Sequence, residues 1–204
     1  MEARDRILLR ANELFNRFGF KRVTMDEIAL KTGMSKKTIY QSFENKDEIV
    51  NAIVEQHLCN STNQCIANVT TAENAVHEVF LNVEMVQKMT EDMNPGLFED
   101  LEKYYPSVFE KIYRHKHDFI AEKIKQNLEK GIKEGLYRED INTDVLTKLR
   151  IETMFIPFNQ QLFPFGKYKI YDVEIEIIDH FLHGVATSKG VKLIQKYKLL
   201  RNNK

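Results

Sequence analysis

Hydrophobic positions in the first fifty residues recur at helical spacing and break at three points. Ile7, Leu8, Ala11, Leu14, Phe15 and Phe18 form one apolar stripe that predicts a helix over about 3–18. Gly19, the residue type preferred just past a helix end, follows at once. Met25, Ile28 and Ala29, with Leu30 at the margin, mark a second helix too short to stand alone, so it must pack on its neighbours. In a third helix, over about 35–43, Ile39 and Phe43 share one face, and Lys37, Thr38 and Gln41 point away from it. The inward pair is expected to close a small core with Leu14, Phe18 and Ile28. A fourth helix starts at Lys46 with Ile49, Val50, Ile53, Val54 and Leu58 in register, and continues towards Val69.

Each of these starts carries its own cap. Thr24 precedes Met25-Asp26-Glu27, the S/T-x-x-E capping box. Ser35 follows the breaker Gly33-Met34, and Asn45 precedes a first turn holding Asp47 and Glu48, where the helix dipole favours acid. Two short helices joined by a Gly-containing turn describe a helix-turn-helix, with the second as the candidate recognition helix.

Beyond residue 70 the pattern lengthens. Thr70-Thr71-Ala72-Glu73 reads as another capping box, opening a helix to about Met89. Asn94-Pro95-Gly96 breaks the chain, a short helix over 97–105 stops at Pro106, and one long helix is expected from Ser107 to about Glu134, ended by Gly135. Asn142 or Thr143 caps a helix carrying Val145, Leu146, Leu149 and Met154, which Pro157 should kink or end. An aromatic loop through Phe163, Pro164 and Phe165 leads to a last helical pair over about 172–187 and 189–200. The expected fold is all-α: an N-terminal three-helix unit over 1–46, followed by a larger helical bundle over 47–204.

Composition bounds this picture without deciding it. With 204 residues, 43% apolar and 29% charged, the chain has room for a small domain and a larger one. No run reaches the 18 apolar residues of a membrane span, and the charged start lacks the apolar region of a signal peptide. Cys59 and Cys65 on one helix lie roughly 9 Å apart along its axis, too far for a bridge. Reduced thiols and a cytoplasmic setting are therefore expected. Net charge is zero, and residues 1–50 carry ten Lys/Arg against eight Asp/Glu, so any case for DNA rests on where the charges stand.

No Ser/His/Asp, Cys/His or Gly-rich phosphate constellation appears, so no catalytic site is expected. His115 with His117, and His180 with His183, lack further ligands at zinc spacing, so no metal or cofactor is expected either. Phe80, Met85, Met89, Phe98, Tyr104, Phe119, Met154, Phe155 and Phe158 read either as plain core or as the lining of a ligand pocket among the bundle helices. The competing reading is an all-α small-molecule carrier or enzyme whose N-terminal unit is only structural. A salt-dependent shift of palindromic DNA separates the two.

The run Gly33-Met34-Ser35-Lys36-Lys37-Thr38-Ile39-Tyr40-Gln41-Ser42-Phe43-Glu44-Asn45-Lys46 follows the pattern G-x-x-x-x-T-hydrophobic-Y-x-x-F-x-x-K. With Thr24-Met25-Asp26-Glu27-Ile28-Ala29 before it, the chain over about 4–50 resembles the TetR/AcrR family of bacterial transcriptional repressors. That resemblance implies a homodimer that carries two reading heads on a ligand-binding and dimerisation bundle. It also implies a palindromic double-stranded DNA operator and release by a small effector, apolar or amphipathic in this chain. By position, Thr24, Met25, Tyr40 and Lys46 would lie against phosphates, and Lys36, Lys37, Thr38, Gln41 and Ser42 would face the major groove. Dimer contacts would come from the helices over about 142–158 and 172–187. Lys36-Lys37 stands where many relatives place small residues, which should strengthen sequence-independent attraction and soften base readout.

Overall fold

Three local caps set the geometry of the N-terminal helices. In the computed structural model, which describes residues 2–202 apart from positions 92, 95 and 165, the Glu27 amide donates to Thr24 Oγ1 at 3.2 Å. The Thr24 amide donates to the Glu27 carboxylate at 2.8 Å, so the box closes in both directions. Ser35 Oγ accepts from the Thr38 amide at 3.1 Å, and Asn45 Oδ1 from the Glu48 amide at 3.0 Å. The expectations for Pro95 and Phe165 fall outside the described residues.

The helices in chain order are α1 (Ala3–Phe18), α2 (Met25–Thr32), α3 (Lys36–Ser42), α4 (Lys46–Thr71), α5 (Ala75–Thr90), α6 (Leu97–Tyr104), α7 (Pro106–Arg114), α8 (Ala121–Lys133), α9 (Thr143–Thr153), α10 (Ile170–Val185) and α11 (Ser188–Asn202). A π turn, His115–Ile120, joins α7 to α8, and a 3-10 turn, Ile156–Phe158, follows α9. The fold is all-α, with no strand among the described residues, and none of their helices is long and apolar enough to cross a membrane.

The chain divides into two compact units, Met1–Asn60 with Asp92–Tyr113, and Ser61–Glu91 with Arg114–Lys204. In the first, Ile7, Ala11, Phe15, Ile28, Ile39, Phe43, Ile49 and Val50 are 0–2% exposed. Leu97 and Leu101 of α6, Val108 of α7 and Tyr105 between the two helices complete this core. Each large side chain here contributes about 1.5–3 kcal/mol through burial. The α2–α3 turn depends on Gly33, which sits at φ +66. The Met34 amide reaches back to Ala29 O at 3.1 Å, so the turn closes in a left-handed conformation that a side chain would strain.

In the second unit, Ala75, Val76, Val83, Leu128, Leu136, Tyr137, Leu182, Val185 and Ile194 form the core. Gly131 on α8 lies under the Tyr137 ring, and a Cβ there would stand 2.0 Å from it. Tyr137 Oη donates to Asn127 Oδ1 at 3.2 Å, and Asn127 Nδ2 to Ala75 O at 3.0 Å. The segment after α8 is also tied to the α10–α11 junction, since the Arg138 amide donates to Val185 O at 2.8 Å.

Two sequence expectations require correction. The Thr70–Glu73 capping box does not form. Thr70 and Thr71 hydroxyls donate back to Ile66 O at 3.1 Å and Ala67 O at 3.0 Å, inside α4, as mid-helix threonines commonly do. The cap of α5 is instead Asn74, whose Oδ1 accepts from the His77 amide at 2.9 Å. The long helix over 107–134 is interrupted by the π turn. Its Lys116, only 6% exposed, lies 4.6 Å from the Phe155 ring centroid and 3.3 Å from Glu152 Oε1. A periodicity of apolar residues carries no trace of that widened turn.

Candidate nucleic-acid interface

α3 separates an apolar inner face from a donor-rich outer one. Ile39 and Phe43 are buried, while Lys36, Lys37, Tyr40 and Gln41 are exposed, and Thr38 and Ser42 are half-buried along the edges. Thr38 Oγ1 lies 2.9 Å from Ser35 Oγ, which holds it at the helix tip. Thr24 is exposed at the start of α2. Met25 is half-buried and packs on the core with its backbone in the first helical turn. Three helix N-termini, at 25, 36 and 46, thus lie on one folded unit, and first-turn amides are ready anion donors. Lys can address guanine, Gln adenine, and Thr a thymine methyl.

Two lysines are already engaged. Lys36 Nζ lies 2.7 Å from Asp26 Oδ1, an exposed pair linking the starts of α3 and α2, and the hydrogen bond to that carboxylate raises the lysine pKa. Lys46 Nζ donates to Phe20 O at 2.9 Å, Val23 O at 3.0 Å and Lys21 O at 3.5 Å. Burial lowers its pKa, and nearby Asp47, Asp100 and Glu27 act in the opposite direction. Its ammonium therefore clamps the α1–α2 connection to the start of α4, which leaves the first-turn backbone of α4 as the group available to a phosphate.

Residues that sequence reasoning passed over brace this surface. The Arg4 guanidinium stacks over the Phe43 ring at 4.3 Å and donates to Ser42 O at 3.4 Å. Arg6 donates to Thr32 O, at the end of α2. Asp100 accepts from the Lys21 amide at 2.9 Å. These contacts join residues distant in the chain through carbonyls and amides, and no sequence spacing announces them.

The second unit holds a separate site. A cavity of about 110 Å³ lies among α4, α5, α8, α9 and α10. Of the nine aromatic and methionine candidates, Met85 and Met154 stand on its wall. Phe80 borders a neighbouring void with Ile175 and Leu182. The other six lie elsewhere: Met89 and Tyr104 are exposed, Phe98 and Tyr104 belong to the first unit, Phe119 stacks on His115 at 5.2 Å, and Phe155 and Phe158 pack together at 6.2 Å. The wall instead includes the ion-paired Arg150 and Glu174, together with Glu78, which accepts from Lys130 at 3.1 Å.

Comparison with known proteins agrees with this architecture. Residues 7–53 match the family model described as bacterial regulatory proteins, tetR family. The chain is 26% identical over 156 residues to the HTH-type transcriptional regulator YhgD of Bacillus subtilis, covering 73% of this chain and 81% of that protein. In structure it is similar to a putative transcriptional regulator from Saccharomonospora viridis in complex with choline (TM-score 0.70, 22% identity, 91% of this chain and 98% of that one). It is likewise similar to SmeT, the repressor of a Stenotrophomonas maltophilia multidrug efflux pump (TM-score 0.69, 17% identity, 92% of each chain). The matched motif and the capped helices that carry it make residues 7–53 a helix-turn-helix segment of the tetR family, and the chain as a whole shares the all-α fold of these transcriptional regulators.

Proposed function

We propose that this regulator is a repressor that binds a palindromic operator as a homodimer and is released when a small molecule occupies the bundle. The observation that carries the reading is α3: a capped helix with Ile39 and Phe43 inward and Lys37, Tyr40 and Gln41 outward. Residues 1–46 form the reading head, and residues 47–204 bind the ligand and pair the subunits. Thr24, Met25, Tyr40 and the backbone at Lys46 hold phosphates. Lys36, Lys37, Thr38, Gln41 and Ser42 face the major groove, with Lys36 exchanging Asp26 for DNA. Two features support pairing through α9 and α10: Val145 and Leu149 are 55% and 52% exposed one turn apart on α9, and Gly184 on α10 faces open space. A two-fold axis would bring these surfaces together and set two heads about one helical turn of DNA apart. The cavity, and the ligand complex known for a structural neighbour, support control by a small molecule.

The test is a mobility shift with genomic fragments selected by the purified protein, at several salt concentrations. A specific shift on a palindrome, with affinity falling linearly in log–log against salt, is expected. Failure to retain any fragment overturns the reading.

A further inference from the structure

One residue on the cavity wall of the second unit carries a polar atom without a hydrogen-bond partner. Glu174 is 4% exposed and stands on that wall. Its Oε1 accepts from Arg150 Nη2, whereas its Oε2 is buried without a hydrogen-bond partner. A buried carboxylate oxygen in that state costs free energy that a donor would recover.

The remaining wall narrows what that donor can be. Arg150 is already bound to Glu174, and its Nη1 donates to Thr153 Oγ1 at 3.3 Å. Lys123 also borders the cavity, and the Glu78 charge is met by Lys130. Each of the two carboxylates is therefore matched by a cation, and an added cation would stand beside Arg150 and the further positive charge of Lys123. The surrounding surface is apolar, and Met85 and Met154 are unbranched side chains that repack easily. At about 110 Å³ the space is somewhat smaller than the roughly 150 Å³ apolar cavity that takes benzene.

We infer that the effector of this bundle is a compact, neutral, largely apolar molecule bearing a hydroxyl, which donates to Glu174 Oε2 while its ring or chain fills the space against Met85 and Met154. The inference rests on the reading that the bundle holds the effector. Burial raises the Glu174 pKa while Arg150 draws it back down, so the guanidinium helps preserve the acceptor.

Calorimetry on the full chain with phenol and toluene tests it, because the two differ by a hydroxyl in place of a methyl. Phenol is expected to bind roughly ten- to hundredfold more tightly, the range of one hydrogen bond to a charged acceptor. Glu174→Gln alone would leave Arg150 without its anion and could unfold the bundle. The double variant Arg150→Met with Glu174→Leu keeps the volume and removes both charges; in it the preference should vanish. Equal binding of phenol and toluene overturns the inference, as does no binding of either, tighter binding of benzylamine than of phenol, or a preference that survives the double substitution. A Glu174-dependent preference for phenol without any effect on operator binding upholds the hydroxyl site and counts instead against release by ligand.

Discussion

The two units build their interiors from different materials. Among the described residues, the one buried polar side chain of the first unit apart from the Tyr105 phenol is Thr32, whose hydroxyl donates to Ile28 O at 2.8 Å within its own helix. The second unit buries Asn68, Glu78, Lys116, Asn127, Thr147, Arg150 and Glu174. An apolar core with local caps favours one fixed arrangement of recognition groups. A core holding ion pairs is costlier in desolvation and offers polar contacts that a bound molecule can complete. This difference would suit the proposed regulator, whose DNA-reading geometry must stay constant while its occupancy changes.

The sharpest way to break this contrast is to damage each interior. Phe43→Ala should cost about 3–5 kcal/mol, from lost transfer energy and a cavity, read by chemical denaturation. In the second unit Glu174→Ala should cost about 3–5 kcal/mol by leaving Arg150 unpaired, whereas Arg150→Met with Glu174→Leu should be near neutral or stabilising. A strongly destabilised double variant would show that the ion pair holds the bundle together.

A pH titration sharpens the comparison from the side of the first unit. Burial, with Asp47 and Asp100 nearby, pushes the Tyr105 phenol up to about 12. A raised pKa means the folded state favours the neutral form. Its contribution, about 2–3 kcal/mol at most, is therefore complete below pH 10 and is lost as pH rises towards 12. Tyr105→Phe should flatten the alkaline arm of the stability curve, and an unchanged arm would assign that loss to other groups.

Smaller effects belong to the caps and the surface. Thr24→Ala should cost about 1 kcal/mol, the usual worth of an N-cap, visible as a lower denaturation midpoint. Asp26→Asn should leave stability almost unchanged, since the Lys36 pair is exposed. Because Lys36 gives up Asp26 for DNA, the substitution should raise DNA affinity at every salt concentration and leave the slope of the salt dependence unchanged. A slope steeper by about one counterion would mean that Lys36 stays on Asp26 when the unmodified protein binds DNA.

The same contrast explains why the sequence reveals one unit more fully than the other. Thr24, Ser35 and Asn45 each act within three residues, and Ile39 with Phe43 within one helix turn, so periodicity and capping rules reach the helix-turn-helix. The cavity is made by Met85, Arg150, Met154 and Glu174, drawn from three helices and the end of one of them, whose approach no local pattern encodes. An ion pair between positions 150 and 174 looks in sequence like two ordinary surface charges, and aromatic residues such as Phe119 and Phe155 suggest a pocket lining that packing does not support. The Thr70–Glu73 signature shows the complementary error: a valid cap motif overridden because α4 has not yet ended.

The core of the first unit also has a bearing on engineering. Leu97, Leu101, Tyr105 and Val108 close over the helices that precede Asn60, although more than thirty residues of the other unit intervene in the chain. Modular sensors are commonly imagined as a head spliced onto a new receptor at one crossover point. Here a single-crossover chimera would inherit half of a packed interface from each parent. Successful recombination would require two grafted segments, or a recipient whose sixth and seventh helices already match the shape of Phe15, Phe20 and Ile53.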